Sequence, residues 1–179
     1  EGFDNARSLG VHVDLLVGDL DSASPGAADQ APAVERHPVD KDETDLELAL
    51  AAALNAGMTS VTVVGTISGR VDHALGNLLV VAADRWAGIR IDLRIDGTRA
   101  WVVRDRVEIR GTVDDLVSLL AIGGQATGVT TTGLAWPLSD SVLDPGAGLG
   151  LSNRMADPTA TVEVASGVVI VFMSTTKGP

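Results

Sequence analysis

An α/β N-terminal domain with a mostly parallel sheet, followed by an all-β, sandwich-like C-terminal domain, is the fold the sequence predicts. Three observations lead there. Apolar runs alternate with helix-period segments over the first half of the 179 residues, as in a parallel sheet with crossover helices. After about Gly97 short β-rich runs follow one another, separated by turn residues, with no long amphipathic helix among them. Apolar residues make up 45% of the chain and charged residues 21%, a balance that supports packed cores and excludes a disordered chain.

In chain order, Val13 to Val17 is a short apolar run ending at Gly18-Asp19 and reads as a strand. The Ser-, Pro- and Ala-rich segment from Ser22 to about Pro32 reads as a loop. Leu46, Ala49, Leu50, Ala53 and Leu54 recur on one face of a helix, with Thr44 or Asp42 as its cap and Asn55-Ala56-Gly57 as its stop. Ser60 to Val64 is β-branched and reads as a buried parallel strand. Leu75, Leu78, Leu79, Ala82 and Trp86 mark a second helix that stops near Gly88, and Arg90 to Ile95 alternates as a strand. The later strands are Ala100 to Val103, Arg106 to Ile109, Asp115 to Ala121, Gly128 to Thr132, Thr159 to Val164 and Val168 to Phe172. The boundary falls between Asp96 and Arg99, which sets the domains at 1–97 and 98–179. No internal repeat and no long linker is visible.

Composition narrows the function. Thirteen Lys and Arg against 24 Asp and Glu leave a net charge of −11 and a pI near 4.5. Such a surface repels nucleic acid and anionic membranes, so neither is an expected partner. The chain has no cysteine, which excludes disulfides, thiolate metal sites and cysteine catalysis and fits a cytoplasmic location. No run approaches the ~18 apolar residues of a membrane span. With aromatics at only 3%, the cores must be built from Val, Leu, Ile and Ala.

Chemistry-bearing residues cluster where strands end. Ligands of open α/β sheets bind at the carboxyl ends of strands. Gly18-Asp19-Leu20-Asp21-Ser22 puts two carboxylates in one turn, within reach of a divalent cation, or forms a plain polar turn. Lys41-Asp42-Glu43-Thr44-Asp45 precedes the first helix. Capping explains its acids, but Lys41 at a helix start calls for an anion such as phosphate. Gly65-Thr66-Ile67-Ser68-Gly69-Arg70-Val71-Asp72-His73 precedes the second helix. There Arg70 offers a planar fork for phosphate, and Asn77 shares a helix side with His73. Five aspartates, Asp19, Asp21, Asp42, Asp45 and Asp72, repel one another unless cations lie among them. In the β half, Thr130-Thr131-Thr132-Gly133-Leu134-Ala135-Trp136-Pro137-Leu138 and Gly148-Leu149-Gly150-Leu151-Ser152-Asn153 leave Trp136 either in the core or poised to stack on a flat ring.

These motifs resemble the thiamin pyrophosphokinase family. The likeness rests on Gly18-Asp19-Leu20-Asp21-Ser22, Lys41 to Glu47, Gly69 to His73 with Asn77, Thr132 to Leu138, and Ser152-Asn153. They occur in the family's order and approximate spacing and cover nearly the whole chain.

The resemblance implies a nucleotide- and metal-binding domain over 1–97 and a thiamin-binding β-sandwich over 98–179. It also implies a homodimer with active sites between subunits, and pyrophosphoryl transfer from ATP to thiamin with AMP as the second product. By the same resemblance Asp19, Asp21, Asp45, Asp72 and Arg70 are catalytic. Lys41, Asp42, Arg70, His73 and Asn77 face ATP, and Asp19, Asp21, Asp42 and Asp45 hold Mg2+. Trp136, Ser152 and Asn153 contact thiamin. Glu1-Gly2 looks like the tail of the family's Ala-Asp-Gly motif, with its preceding strand missing. Ser68 stands where a glycine is common and Ala135 where a Lys or Arg is. Two other readings share the aspartates: another Mg-dependent phosphotransferase or phosphohydrolase with Asp19 as nucleophile, and a non-catalytic thiamin- or nucleotide-binding regulator.

Overall fold

The helix expected after Lys41 forms where its cap is. In the computed structural model, which describes residues 2–21, 24–66 and 70–174, the Thr44 hydroxyl accepts the Glu47 N–H (3.3 Å) while the Glu47 carboxylate accepts the Thr44 N–H (2.7 Å). This reciprocal box satisfies two of the free donors at a helix start. The helix runs Asp45–Asn55 with Leu50 buried. Of the residues in the quoted motifs, Glu1, Ser22, Ile67, Ser68 and Gly69 lie outside the described residues.

The chain divides into two units, Glu1–Met58 and Thr59–Pro179. The first holds α1 (Gly2–Ser8), β1 (Leu16–Gly18), α2 (Ala27–Gln30), β2 (Val34–Arg36) and α3 (Asp45–Asn55). β1 and β2 pair in parallel, Leu16 opposite Val34, and α3 packs on β1. The segment expected to be a loop thus contains α2 and leads into β2, both too short for periodicity to reveal. Among the described residues of this unit, Phe3, Ala27 and Leu50 are the buried apolar ones.

The second unit contains β3 (Ser60–Gly65), α4 (Val71–Val81), a 3-10 turn at Asp84–Trp86, β4 (Arg90–Ile95), β5 (Thr98–Val103), β6 (Arg106–Arg110), β7 (Leu116–Ala121), β8 (Ala126–Thr132), β9 (Ser141–Leu143), β10 (Asn153–Arg154), β11 (Thr159–Glu163) and β12 (Val169–Ser174). A six-stranded sheet has the order β10-β7-β12-β5-β4-β3, and a four-stranded sheet the order β6-β11-β8-β9. Their facing sides share one apolar cluster that includes Trp101, Val103, Val117, Leu119, Val129, Leu134, Met155, Val162 and Val171. This is the sandwich the alternating runs predict.

The parallel sheet differs from expectation. Parallel pairing joins β1 to β2 in one sheet and β3 to β4 in another. β4 then pairs antiparallel with β5. The expected boundary at 97/98 therefore falls at the turn between two paired strands of one sheet. β3, expected to be buried, is an edge strand, with Val64 74% exposed. β-Branched composition marks a strand but not its place in a sheet. α4 ends at Val81 rather than continuing to Trp86. It buries Val81 and leaves Val71, Leu75 and Leu79 exposed as a stripe. No helix among the described residues is long and apolar enough to cross a membrane.

Candidate active site

At the end of β1 the chain turns sharply. Gly18 has φ +137°, and a Cβ there would lie 2.8 Å from an Asp45 carboxylate oxygen. The strand end and the start of α3 thus approach closely enough to require glycine. Leu20 follows at φ +67°, a conformation that costs a branched side chain free energy and often marks functional turns. Asp19 Oδ1 accepts the Asp21 N–H at 3.1 Å, and its Oδ2 accepts from Lys41 Nζ at 2.8 Å. Lys41 also pairs with Asp45 Oδ1 at 3.0 Å. The Lys41 and Asp19 side chains are only 10% and 13% exposed, whereas Asp45 is 51% exposed.

The Lys41 ammonium is therefore the cation that lets two carboxylates converge. Its hydrogen bond, followed by the Asp21 N–H, holds the Asp19 carboxyl below the usual carboxylate range. Asp19 in turn, with Asp45, raises Lys41. Asp21 and Asp42 are exposed. Among the described residues no three His, Asp or Glu side chains gather tightly enough to hold a metal ion. The donor set is nevertheless all carboxylate oxygen, and two of its members already converge on a cation. Both features fit a hard divalent ion such as magnesium.

In the second unit, Arg70 forms a forked pair with Asp72, Nε to Oδ1 at 3.2 Å and Nη2 to Oδ2 at 2.6 Å. The guanidinium pushes the Asp72 carboxyl down to about 2, and Asp72 raises Arg70. Both side chains are well exposed. His73 and Asn77 lie one turn apart on α4, both exposed. Of the motif before them, Thr66 donates to Asp96 at 3.1 Å.

The third element lies in the sandwich. Trp136 is 60% exposed, so it is not a core residue. Asn153 is buried beneath it, and its side chain turns to the Trp136 main chain. Oδ1 accepts the N–H groups of Trp136 (3.1 Å) and Arg154 (2.8 Å), and Nδ2 donates to the Trp136 carbonyl (2.7 Å). Ser152 is exposed at φ +57°, and its N–H donates to Ser118 Oγ at 3.1 Å. An open pocket of about 190 Å³ is lined by Trp136, Leu138, Leu149, Leu151 and Asn153 with Gly148 and Gly150. Its walls are apolar apart from Asn153, as suits a flat heterocycle. A larger groove of about 510 Å³ beside β4 and β6 carries Arg90, Arg104 and Arg106. Arg104 is occupied by the Ala82 and Ala83 carbonyls and Arg106 by Glu163, which leaves that groove a poorer candidate.

Two family models match the chain in succession: "Thiamin pyrophosphokinase, catalytic domain" over residues 1–92 and "Thiamin pyrophosphokinase, vitamin B1 binding domain" over residues 106–169. The chain belongs to the thiamin pyrophosphokinase family. It is similar to the thiamine pyrophosphokinase of Bacillus subtilis, with 30% identity over 148 residues, covering 81% of this chain and 69% of that protein. A thiamine pyrophosphokinase of rice is 25% identical over 171 residues, covering 87% of this chain and 64% of the relative. The chain thus spans roughly two thirds of the length of these relatives. The crystal structure of the Bacillus subtilis thiamine pyrophosphokinase superposes with a TM-score of 0.83 at 25% identity, over 97% of this chain and 84% of that one.

The first family match contains Asp19, Asp21, Lys41, Asp42, Asp45, Arg70, Asp72, His73 and Asn77, and the second Trp136, Ser152 and Asn153. Sequence reasoning did not single out Thr131, which is 4% exposed and bonds the same loop as Asn153. A signal was available: Thr131 follows Val129 at an inward-facing position of β8, where a buried hydroxyl must find a partner.

Proposed function

We propose that this chain transfers the pyrophosphoryl group of ATP to the hydroxyl of thiamin, giving thiamin diphosphate and AMP. The observation that carries the reading is the succession, on one chain, of the family's catalytic and vitamin B1 binding domains. In this reading residues 1–97 serve nucleotide and metal and residues 98–179 serve thiamin.

Pyrophosphoryl transfer asks a protein mainly for in-line placement and charge neutralisation. The thiamin oxygen forms a bond to the β-phosphorus, the bond to the α–β bridging oxygen breaks, and AMP leaves with that electron pair. Asp19, Asp21, Asp42 and Asp45 would hold magnesium, which when bound would supply neutralising charge to the polyphosphate. Lys41 and Arg70 donate to phosphate oxygens as charge shifts onto the leaving group. His73 and Asn77 flank the nucleotide from the exposed side of α4. An aspartate of the set, with Asp72 among them, takes the hydroxyl proton. Trp136 stacks on a ring of thiamin, whose thiazolium charge suits an indole face and an acidic protein. We place the enzyme in the cytoplasm as a homodimer with active sites between subunits.

The reading with Asp19 as a phosphorylated nucleophile is weaker. Both its oxygens are engaged, one by Lys41 and one by the Asp21 N–H. The test is chromatographic analysis of products from ATP, magnesium and thiamin. Equal amounts of AMP and thiamin diphosphate are expected. Release of ADP or free phosphate independent of thiamin would overturn the proposal.

A further inference from the structure

Among the described residues three polar side chains are buried: Asp115, Thr131 and Asn153. Two of them serve one short loop. On its upstream side the Ala135 N–H donates to the Arg154 carbonyl at 2.9 Å, and Asn153 holds both main-chain groups of Trp136. On its downstream side Thr131 Oγ1 accepts the Leu138 N–H at 2.8 Å, and the Thr131 N–H donates to the Leu138 carbonyl at 3.0 Å. Pro137, between the two anchor points, has a fixed φ and no N–H, so it transmits position stiffly. A buried hydroxyl is tolerated only with a partner, and the partner of Thr131 is this loop.

We infer that Thr131 is a positioning residue for thiamin: through Leu138 it fixes the pose of Trp136 without itself touching the ligand. The inference rests on the proposed thiamin-binding role of Trp136. Leu138 and Trp136 both line the pocket of about 190 Å³, so weakening the downstream anchor to its main-chain bond alone shifts two of its walls. Thr131 has no place in the polyphosphate machinery, and its effect falls on thiamin alone.

Thr131→Val keeps the shape of the side chain and removes the hydroxyl, while Thr131→Ser keeps the hydroxyl. In steady-state assays Thr131→Val should raise KM for thiamin about fivefold, the scale of one lost hydrogen bond, with kcat and the KM for ATP unchanged. Thr131→Ser should restore the thiamin KM. Thermal melting should place both variants close to the parent, since valine suits a buried strand position. A 19F spectrum of 5-fluorotryptophan-labelled protein gives a readout independent of turnover. The Trp136 signal, assigned by its loss in Trp136→Phe, should shift or broaden in Thr131→Val and return in Thr131→Ser, while Trp86 and Trp101 stay in place. An unmoved Trp136 signal together with an unchanged thiamin KM would overturn the inference. A moved signal in a protein that does not turn over thiamin would instead uphold the positioning and sink the proposed activity.

Discussion

The strand end at Asp19 and the loop at Trp136 are held in opposite ways. At Asp19 the chain is held by charge: one ammonium between two carboxylates, partly open to solvent. At Trp136 it is held by neutral hydrogen bonds from buried side chains to main-chain groups, while the ring itself stands in water. Charge pairs respond to salt, pH and incoming ions. Buried neutral bonds do not, and they keep one geometry. The first arrangement suits a polyphosphate that arrives with its own cations, and the second a flat ring that needs a fixed face.

The contrast is broken most severely at glycine. Gly133 has φ +70°, and a Cβ there would lie 2.2 Å from the Thr159 carbonyl oxygen, which is backbone and cannot step aside. Gly133→Ala should lower stability by about 3 kcal/mol, the sum of backbone strain and overpacking. Gly18→Ala is also strained, at φ +137°, but its three nearest neighbours are atoms of the Asp45 carboxylate rather than backbone, so its loss in a melting experiment should be smaller. Equal losses at both positions would erase the distinction between the two regions.

Next in size is Asp19→Asn. It removes the strongest partner of Lys41 and a proposed metal ligand, so turnover should fall at least about a hundredfold while circular dichroism stays unchanged. Near-normal kcat would remove Asp19 from the machinery.

Trp136→Ala sharpens the comparison from the other side. Thiamin binding should weaken by about 1 to 3 kcal/mol, the scale of aromatic and cation contacts, with little change in ATP binding by calorimetry. Because the ring is exposed, the melting temperature should barely move. A large melting shift with parallel loss of both ligands would return Trp136 to a structural role.

The smallest effect concerns pH. The Asp72 carboxyl lies at about 2 against an ordinary 3.8. A depressed carboxyl contributes stability above its unfolded pKa and loses it as pH falls through the folded value. Wild type should therefore lose melting temperature relative to Asp72→Asn between about pH 4 and about pH 2, and added salt should shrink the difference. Parallel melting curves across that range would mean that the Arg70 pair contributes nothing in solution.

Local pattern made some of this legible. The Leu46 to Leu54 spacing and the Thr44 cap marked α3 within a residue of its observed limits, because cap and periodicity are both written in neighbouring residues. Arg90 to Ile95 was equally plain. β10 was not, since two residues, Asn153 and Arg154, become a strand only by pairing with distant Val117 and Leu116. α4 is apolar on more than one side, so its sequence could not say that Val81 faces inward and Leu75 outward. In the site, the residue types were readable but their partners were not. Lys41 was expected to await a phosphate, and the structure gives it Asp19 and Asp45. Asn153 was expected to contact thiamin; it lines the pocket beside Trp136, and what its sequence did not show is that its amide also holds the Trp136 main chain. Asp45 is only four residues from Lys41, but Asp19 and Trp136 are partners that the fold brings in from well away in the sequence.

The stripe of Val71, Leu75 and Leu79 along α4 carries a consequence for how the protein behaves as a colloid. At neutral pH the net charge of −11 opposes non-specific clumping through that apolar surface. Near the pI of about 4.5 the repulsion vanishes while the stripe remains. The molecule's solubility minimum should thus be deep and narrow, and concentrated stocks should stay clear on the alkaline side of it.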